Sequence, residues 1–323
     1  MATLQITMSS HIAFVFPGQG SQSVGMGRAL VEAQPALCSV YDEASSVLGY
    51  DVAALCFEGP TERLNLTEYT QPALLVSSIA ALRALDPIGL VPAAVAGHSL
   101  GEYSALVAAG GLSYRDAVAV VQKRGRYMAE AVTPGTGLVA ALLGLAADVV
   151  KEVCREASSI GVVAAANFNS PGQVVIAGEK AAVERAIELA KTKGCKKAIL
   201  LPVSVPVHTP LMQKAADRLA ADLAMVNWSD LKMPLVNNAE AKALTKAAEI
   251  KASLVRQLPS SVLWEDSIKT MAVMGVTTFV EVGPGAVLSG LIKRILPEAT
   301  TWTVNDPKSL ETTRSALSVK REA

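Results

Sequence analysis

Three residues far apart in the chain carry types and surroundings suited to nucleophilic catalysis and anion binding: Ser99, His208 and Arg124. Ser99 stands in "VAGHSLGEYSALVAAGG", where Gly97-His98-Ser99-Leu100-Gly101 spells G-x-S-x-G after an apolar run and before a small-residue helical pattern ended by Gly110-Gly111. Flanking glycines permit the strained strand-to-helix turn that exposes a serine hydroxyl at a helix N-terminus, as an activated nucleophile requires. A serine needs a general base, and the chain offers His11, His98 and His208. His11 precedes the first apolar run and reads as a surface residue, and His98, as the neighbour of Ser99, points the other way. His208 in "PVSVPVHTPLM" lies between a strand end and a helix opened by Thr209-Pro210, where α/β active sites assemble; a packed or capping histidine is the alternative.

Arg124 interrupts an apolar stripe. The helix "SYRDAVAVVQKRGRYMAEAV" opens with Ser113 and Asp116 as an S-x-x-D cap, and its inner face runs Ala117, Val121, Arg124, Met128. A buried guanidinium needs an anion, and a carboxylate held in bidentate fashion fits its fork best. An internal ion pair or a snorkelling side chain would also explain it. The opening stretch "FPGQGSQSVGMG" looks like a nucleotide loop, but Ser23 stands where the dinucleotide fingerprint needs its third glycine and Met26 where a P-loop needs lysine. What remains is a glycine turn that aims backbone N–H groups into a cleft, or a plain strand-to-helix turn.

These residues need a scaffold. Apolar runs "IAFVF", "AAVAG", "LVAALLGL", "VVAAANF", "QVVIAG", "KAILLPVS", "PLVNN" and "TTFVEVG" alternate with amphipathic stretches, which predicts an α/β protein with a largely parallel central sheet. Between Gly137 and Ser204 the order becomes β-α-β-β-α-β, a ferredoxin-like unit, whose second helix carries Val183, Ala186, Ile187 and Ala190 on one face and stops at Gly194. The expected organisation is a discontinuous large domain, 1–136 and 205–323, with a small domain, 137–204, inserted. After about Ser309 the pattern reads as a frayed polar tail.

Bulk properties exclude several classes. At 323 residues and 51% hydrophobic content the chain can fill a sizeable core. Lys+Arg and Asp+Glu are equal at 29 each, so no global field recruits nucleic acid or an anionic membrane. Cys38, Cys56, Cys154 and Cys195 are scattered, without metal-ligand spacing; reduced thiols, a cytoplasmic location and no transmembrane span are expected.

Taken together, "FPGQGSQ", "TQPALL", "GHSLGEYSAL", "KRGRYM", "NFNSPGQVVIAG", "PVSVPVHTPLM", "LVRQL" and "VEVGPGAVL" resemble the malonyl-CoA:acyl carrier protein transacylase family of bacterial type II fatty-acid synthesis, from about His11 to Pro307. The resemblance implies an α/β-hydrolase-like large domain with the ferredoxin-like insert. It implies Ser99 as nucleophile, His208 as base and Arg124 as the residue that grips the malonyl carboxylate, with the backbone N–H groups of Gln19 and Leu100 as oxyanion hole. Gln71 and Gln257 match further active-site residues, the latter orienting the histidine through its main-chain carbonyl; Asn167 and Asn169 match a loop beside the site. Val207 stands where some bacterial members carry serine. No cofactor is implied, since the coenzyme A thioester is a substrate; the partners would be malonyl-CoA and holo acyl carrier protein, acting on a monomer. An acidic carrier would call for a basic patch near the cleft, with Lys196 and Lys197 as candidates.

Two other readings share parts of this pattern. A G-x-S-x-G hydrolase would need an Asp-Gly motif or an acidic residue at a strand end between Ser99 and His208, whereas Asp116 and Asp148 lie in helical stretches. A discrete acyltransferase loading a polyketide-synthase carrier shares every motif.

Overall fold

The computed structural model describes residues 7–86, 89–203 and 205–319. Ten strands are present among them: β1 (Thr7–Phe16), β2 (Leu90–Gly97), β3 (Gly137–Leu143), β4 (Val163–Ser170), β5 (Gln173–Glu179), β6 (Lys197–Leu200), β7 (Leu235–Val236), β8 (Ala243–Leu244), β9 (Thr278–Val282) and β10 (Thr300–Val304). They form two sheets. The larger has the order β10-β9-β1-β2-β7-β8 and is parallel except at its β7–β8 edge. The smaller is antiparallel, with the order β4-β5-β3-β6.

Alternation along the central strands shows why the larger sheet is covered on both faces. In β1, Ile12, Phe14 and Phe16 enter one hydrophobic cluster while Ala13 and Val15 enter another. The same split places Val95 opposite Ala94 and Ala96 in β2. A parallel sheet needs helices on both faces, so its strands read as continuous apolar runs. The helices Thr67–Leu85 and Tyr114–Glu130 pack over the first face, and Trp264–Val273 and Val287–Ile295 over the second.

The smaller sheet has its own core, in which Val150, Val153 and Cys154 of the helix Ala147–Ala157 meet Val183, Ala186 and Ala190 of the helix Lys180–Thr192. Its outer strand is tied to the larger unit where Val262 donates to the Ala166 carbonyl and accepts from the Phe168 amide, both at 2.9 Å. The cleft between the two units holds the candidate site.

Some expectations change. Residues beyond Ser309 are not a frayed tail: Pro307–Val319 is a helix, opened by Asp306 Oδ1 accepting from the Ser309 amide at 2.7 Å. Leu310, Thr313 and Leu317 recur at helical spacing and are buried, and Arg314 donates to the Ala84 carbonyl at 2.5 Å. β10, unmarked by any strong apolar run, adds the outer strand beside β9. His11 lies within β1 and is half-buried, rather than on the surface ahead of the strand. "PLVNN" contributes only Leu235 and Val236 to the sheet, because Asn237 and Asn238 leave it to make side-chain hydrogen bonds. β6 ends at Leu200 and Pro202 follows closely; Ser204, expected at that strand's end, lies outside the described residues. The four cysteines are free thiols. Among the described residues, no helix is long and apolar enough to cross a membrane.

Candidate active site

β2 delivers Ser99 through a turn that only glycines can flank. A Cβ on Gly97 would stand 1.9 Å from the Gly101 carbonyl carbon, and one on Gly101 would stand 2.1 Å from the Phe16 carbonyl oxygen. Between them Ser99 has φ 51°, a left-handed conformation that is costly for a residue with a Cβ. The helix Gly101–Ala108 starts at once, so Ser99 sits at its N-terminal end. We expect Gly97→Ala to destabilise the fold by about 1–3 kcal/mol or more, through overpacking at this turn; an unchanged denaturant midpoint would contradict the close approach.

His208 arrives from the connection that follows β6. It too is left-handed, with φ 59°, and is held from behind by Thr209 Oγ1 donating to the Pro206 carbonyl at 2.7 Å. Its Nε2 lies 2.7 Å from Ser99 Oγ, and its Nδ1 lies 3.0 Å from the Gln257 carbonyl oxygen. That carbonyl can only accept, so Nδ1 carries the proton and Nε2 is left as the acceptor facing the hydroxyl. Burial and the positive charge of Arg124, in that order, press the imidazole down to about 3, so it is neutral at physiological pH.

Arg124 is fully buried on the inner face of its helix beside Ala117, Val121 and Met128, as the stripe predicted. A flank of the same helix is anchored to a neighbouring one: Lys123 and Tyr127 both bond Asp222, each at 2.6 Å. The guanidinium donates to Gln71 Oε1 at 2.6 Å, Gln257 Oε1 at 2.9 Å and Ser99 Oγ at 3.1 Å, and it lies over the Tyr103 ring at 5.6 Å. No Asp or Glu stands within ion-pair distance among the described residues. The internal ion pair is therefore not the explanation, and the side chain does not snorkel. A buried cation bonded to neutral oxygens, with Nε unpartnered, is a strong receptor for a carboxylate.

The glycine turn after β1 comes against the Ser99 turn. A Cβ on Gly18 would meet the His98 carbonyl oxygen at 2.3 Å, and Gln19 follows, with its side chain donating to Thr67 Oγ1 at 3.2 Å. Nearby backbone amides are occupied: Ser99 N by Asn238, Gly20 N by Gln22 and Gly101 N by His98. Among the described residues, the Gln19 and Leu100 amides have no such acceptor, although both residues line the cleft. Two free N–H groups beside a serine hydroxyl can stabilise a developing oxyanion.

The far wall of the cleft comes from the smaller sheet, through Val139, Asn167 and Val175, and from Leu201 and Val203 beyond β6. Asn169 is set back from the hydroxyl: its Oδ1 lies 2.9 Å from His98 Nε2, and His98 also packs against Trp264 with ring centroids 5.6 Å apart. Gln71, just before Pro72 in its helix, lines the cleft next to Arg124. Val207 joins the lining beside His208. Lys196 and Lys197 are exposed at the start of the edge strand β6.

Two buried polar residues at the site escaped the sequence reading. Asn238 bonds the Ser99 turn, and Glu102, fully buried and pushed up to about 8 by desolvation, accepts from the Asn238 amide. The available signals were the Asn pair ending "PLVNN" and a charged residue inside the apolar helix that follows Ser99. Among the described residues, no group of three or more His, Cys, Asp and Glu side chains is arranged to hold a metal ion.

Comparison with known proteins places the chain among relatives along nearly its whole length. The acyl transferase domain family matches residues 13–312. The chain is 50% identical over 302 residues to a malonyl CoA-acyl carrier protein transacylase of Salmonella typhimurium, covering 93% of this chain and 98% of that one. A Bacillus subtilis protein of the same name is 48% identical over 303 residues, covering 94% and 96%. Among solved structures, a malonyl-CoA:acyl carrier protein transacylase from Xanthomonas oryzae pv. oryzae superposes with a TM-score of 0.94 at 47% identity, covering 96% of this chain and 99% of that one. A malonyl-transacylase in complex with a type II PKS acyl-carrier protein superposes with a TM-score of 0.93 at 46% identity, covering 95% and 99%.

Proposed function

Because the chain belongs to the acyl transferase domain family, and within it to the malonyl-CoA:acyl carrier protein transacylases, we propose that its cleft moves malonyl through a Ser99 ester. The enzyme is an acyltransferase that takes malonyl from malonyl-CoA and gives it to acyl carrier protein for fatty-acid synthesis. The observation that carries the residue assignment is the meeting of a neutral histidine and a buried arginine, the latter without an ion-pair partner among the described residues, at one serine hydroxyl.

In the first half-reaction His208 Nε2 takes the Ser99 proton while Oγ attacks the thioester carbonyl. The Gln19 and Leu100 N–H groups hold the tetrahedral oxyanion, and the Gln257 carbonyl steadies the imidazolium through Nδ1. The C–S bond breaks, coenzyme A leaves as the thiol with the proton from His208, and malonyl stays on Oγ. The pantetheine thiol of holo carrier then gives its proton to His208, attacks the ester, and leaves as malonyl thioester while Oγ recovers the proton. Arg124 binds the free malonyl carboxylate, with Gln71 and Gln257 keeping the guanidinium in place, and Asn167 contributes to the facing wall. The scheme uses a Ser-His dyad with no carboxylate as third member and no cofactor; the backbone carbonyl of Gln257 does the orienting.

The strand order β4-β5-β3-β6 with two helices supports reading residues 137–204 as a ferredoxin-like small domain set into a hydrolase-like large domain, 1–136 and 205–323. Residues 1–6, 87, 88, 204 and 320–323 of those spans lie outside the described residues. The working form is proposed to be a cytoplasmic monomer whose carrier approaches along the β6 edge near Lys196 and Lys197. The neighbouring complex with a PKS carrier favours one second reading, service to a polyketide-synthase carrier. Transfer rates to holo fatty-acid carrier and holo polyketide carrier, each against its apo form, decide between the two; no transfer to any holo carrier would overturn both.

The depressed His208 fixes a pH expectation. With the imidazole neutral down to about 3, kcat/KM for malonyl-CoA should stay level from pH 8 to about 5, without the half-loss near 6.5 that an ordinary histidine would give. Neutralising Arg124 with the malonyl carboxylate relieves part of that depression, so the acid limb of kcat should lie above that of kcat/KM. Stability follows the same shift: between about 3 and 6.5 the unfolded chain binds the proton that the folded one refuses, so this contribution falls as pH falls. A kcat/KM limb centred at 6.5 would contradict the neutral buried imidazole.

A further inference from the structure

We infer that Asn238 is a positioning residue for Ser99: its side-chain amide bridges the two ends of the serine turn and holds it in the left-handed conformation, with Glu102 locking Asn238 in place. The inference rests on Ser99 being the nucleophile. Asn238 Oδ1 accepts from the Ser99 amide at 2.6 Å, and Asn238 Nδ2 donates to the Gly97 carbonyl at 2.8 Å. One planar amide thus satisfies a donor and an acceptor two residues apart, a task that needs both halves of an asparagine.

The rest of the surroundings fit a clamp. Ser99 at φ 51° is a conformation that persists only where neighbours over-determine it. Its carbonyl is fixed as well, accepting from Gln257 Nε2 at 3.0 Å and from the Glu102 amide at 3.2 Å. Asn238 is itself fully buried and immobilised: its amide donates to Glu102 Oε1, and its carbonyl accepts from the Leu263 amide at 2.9 Å. The topology explains the placement. β7 runs parallel to β2 with Ala96 beside Val236, so the residues that leave both strands emerge together, 139 positions apart in sequence. Rotating the Ser99 backbone would carry Oγ off His208 Nε2 and swing the Leu100 N–H away from the same centre. Asn238 therefore sets both the nucleophile and one oxyanion donor without touching substrate.

The test measures malonyl transfer to holo carrier alongside the labelling rate of Ser99 by a fluorophosphonate, on wild type, Asn238→Ala and Asn238→Asp, each corrected for the folded fraction. Wild type must label at Ser99; if it does not, the nucleophile reading fails, whatever Asn238 does. Given labelling, Asn238→Ala should lose kcat and labelling rate together, by about 100-fold, as small misplacement of a reacting atom does. KM for malonyl-CoA should change by less than about threefold, since no binding contact is removed. Asn238→Asp keeps an acceptor for the Ser99 amide and loses the donor to Gly97; it should be slowed by about tenfold, and it decides the matter if the alanine variant does not fold. Folded variants that label and turn over at the wild-type rate, or losses that track only the unfolded fraction, would overturn the inference.

Discussion

Replacing Arg124 by alanine is expected to lower malonyl transfer on the order of 1000-fold while acetyl transfer changes by less than about tenfold, the loss of two charge-assisted hydrogen bonds worth about 1.5–3 kcal/mol each. The asymmetry follows from burial. The guanidinium is fully enclosed, bonded to Gln71, Gln257 and Ser99, and has no acidic partner within ion-pair distance among the described residues. A malonyl group supplies the missing anion, whereas an acetyl group leaves the cation as it is. Discrimination thus comes from an unpaired buried charge that only one substrate can satisfy. Arg124→Lys should fall between, because an ammonium keeps the charge but not the fork. Steady-state transfer with malonyl-CoA and acetyl-CoA, measured on folded variants, checks it; equal losses on both donors would show that Arg124 serves the Ser99 turn rather than the acyl carboxylate.

Ser99→Ala should abolish transfer, by on the order of 10,000-fold or more, since no covalent route remains once the hydroxyl is gone. Binding should survive. The Arg124 fork and the cleft walls stay in place, so malonyl-CoA should still protect the variant against thermal unfolding. Residual turnover near the wild-type rate would mean that the acyl group passes directly from coenzyme A to the carrier thiol.

Legibility in the sequence followed the physics of each element. Local patterns were readable: Ser113 and Asp116 do cap their helix, with Ser113 Oγ accepting from the Asp116 amide at 3.0 Å. Arg124 in an apolar stripe marked a core-facing cation, but whether it was enclosed, ion-paired or snorkelling was settled only by the packing around it. The turn at Ser99 was legible from two glycines whose Cβ atoms would collide with backbone. The C-terminal helix was missed because a polar surface hid a stripe of Leu310, Thr313 and Leu317 that matters only once the helix Thr67–Leu85 is beside it. Asn238 and Glu102 were missed for a different reason. Their roles depend on β2 and β7 lying side by side, a pairing between segments over a hundred residues apart that periodicity does not encode. The Asn pair and a carboxylate in an apolar helix mark such residues locally, but their partners across the fold carry no local signature, whereas glycines, caps and amphipathic faces announce their roles in place.

The most direct test of the account is intact-protein mass after brief exposure to malonyl-CoA, for wild type and Ser99→Ala, followed by addition of holo or apo carrier. A single malonyl adduct is expected on wild type alone, mapped to the peptide containing Ser99 and discharged by holo carrier but not by apo carrier. An adduct that persists in Ser99→Ala, or one lost to water as fast without carrier as with it, would contradict a malonyl-Ser99 transferase.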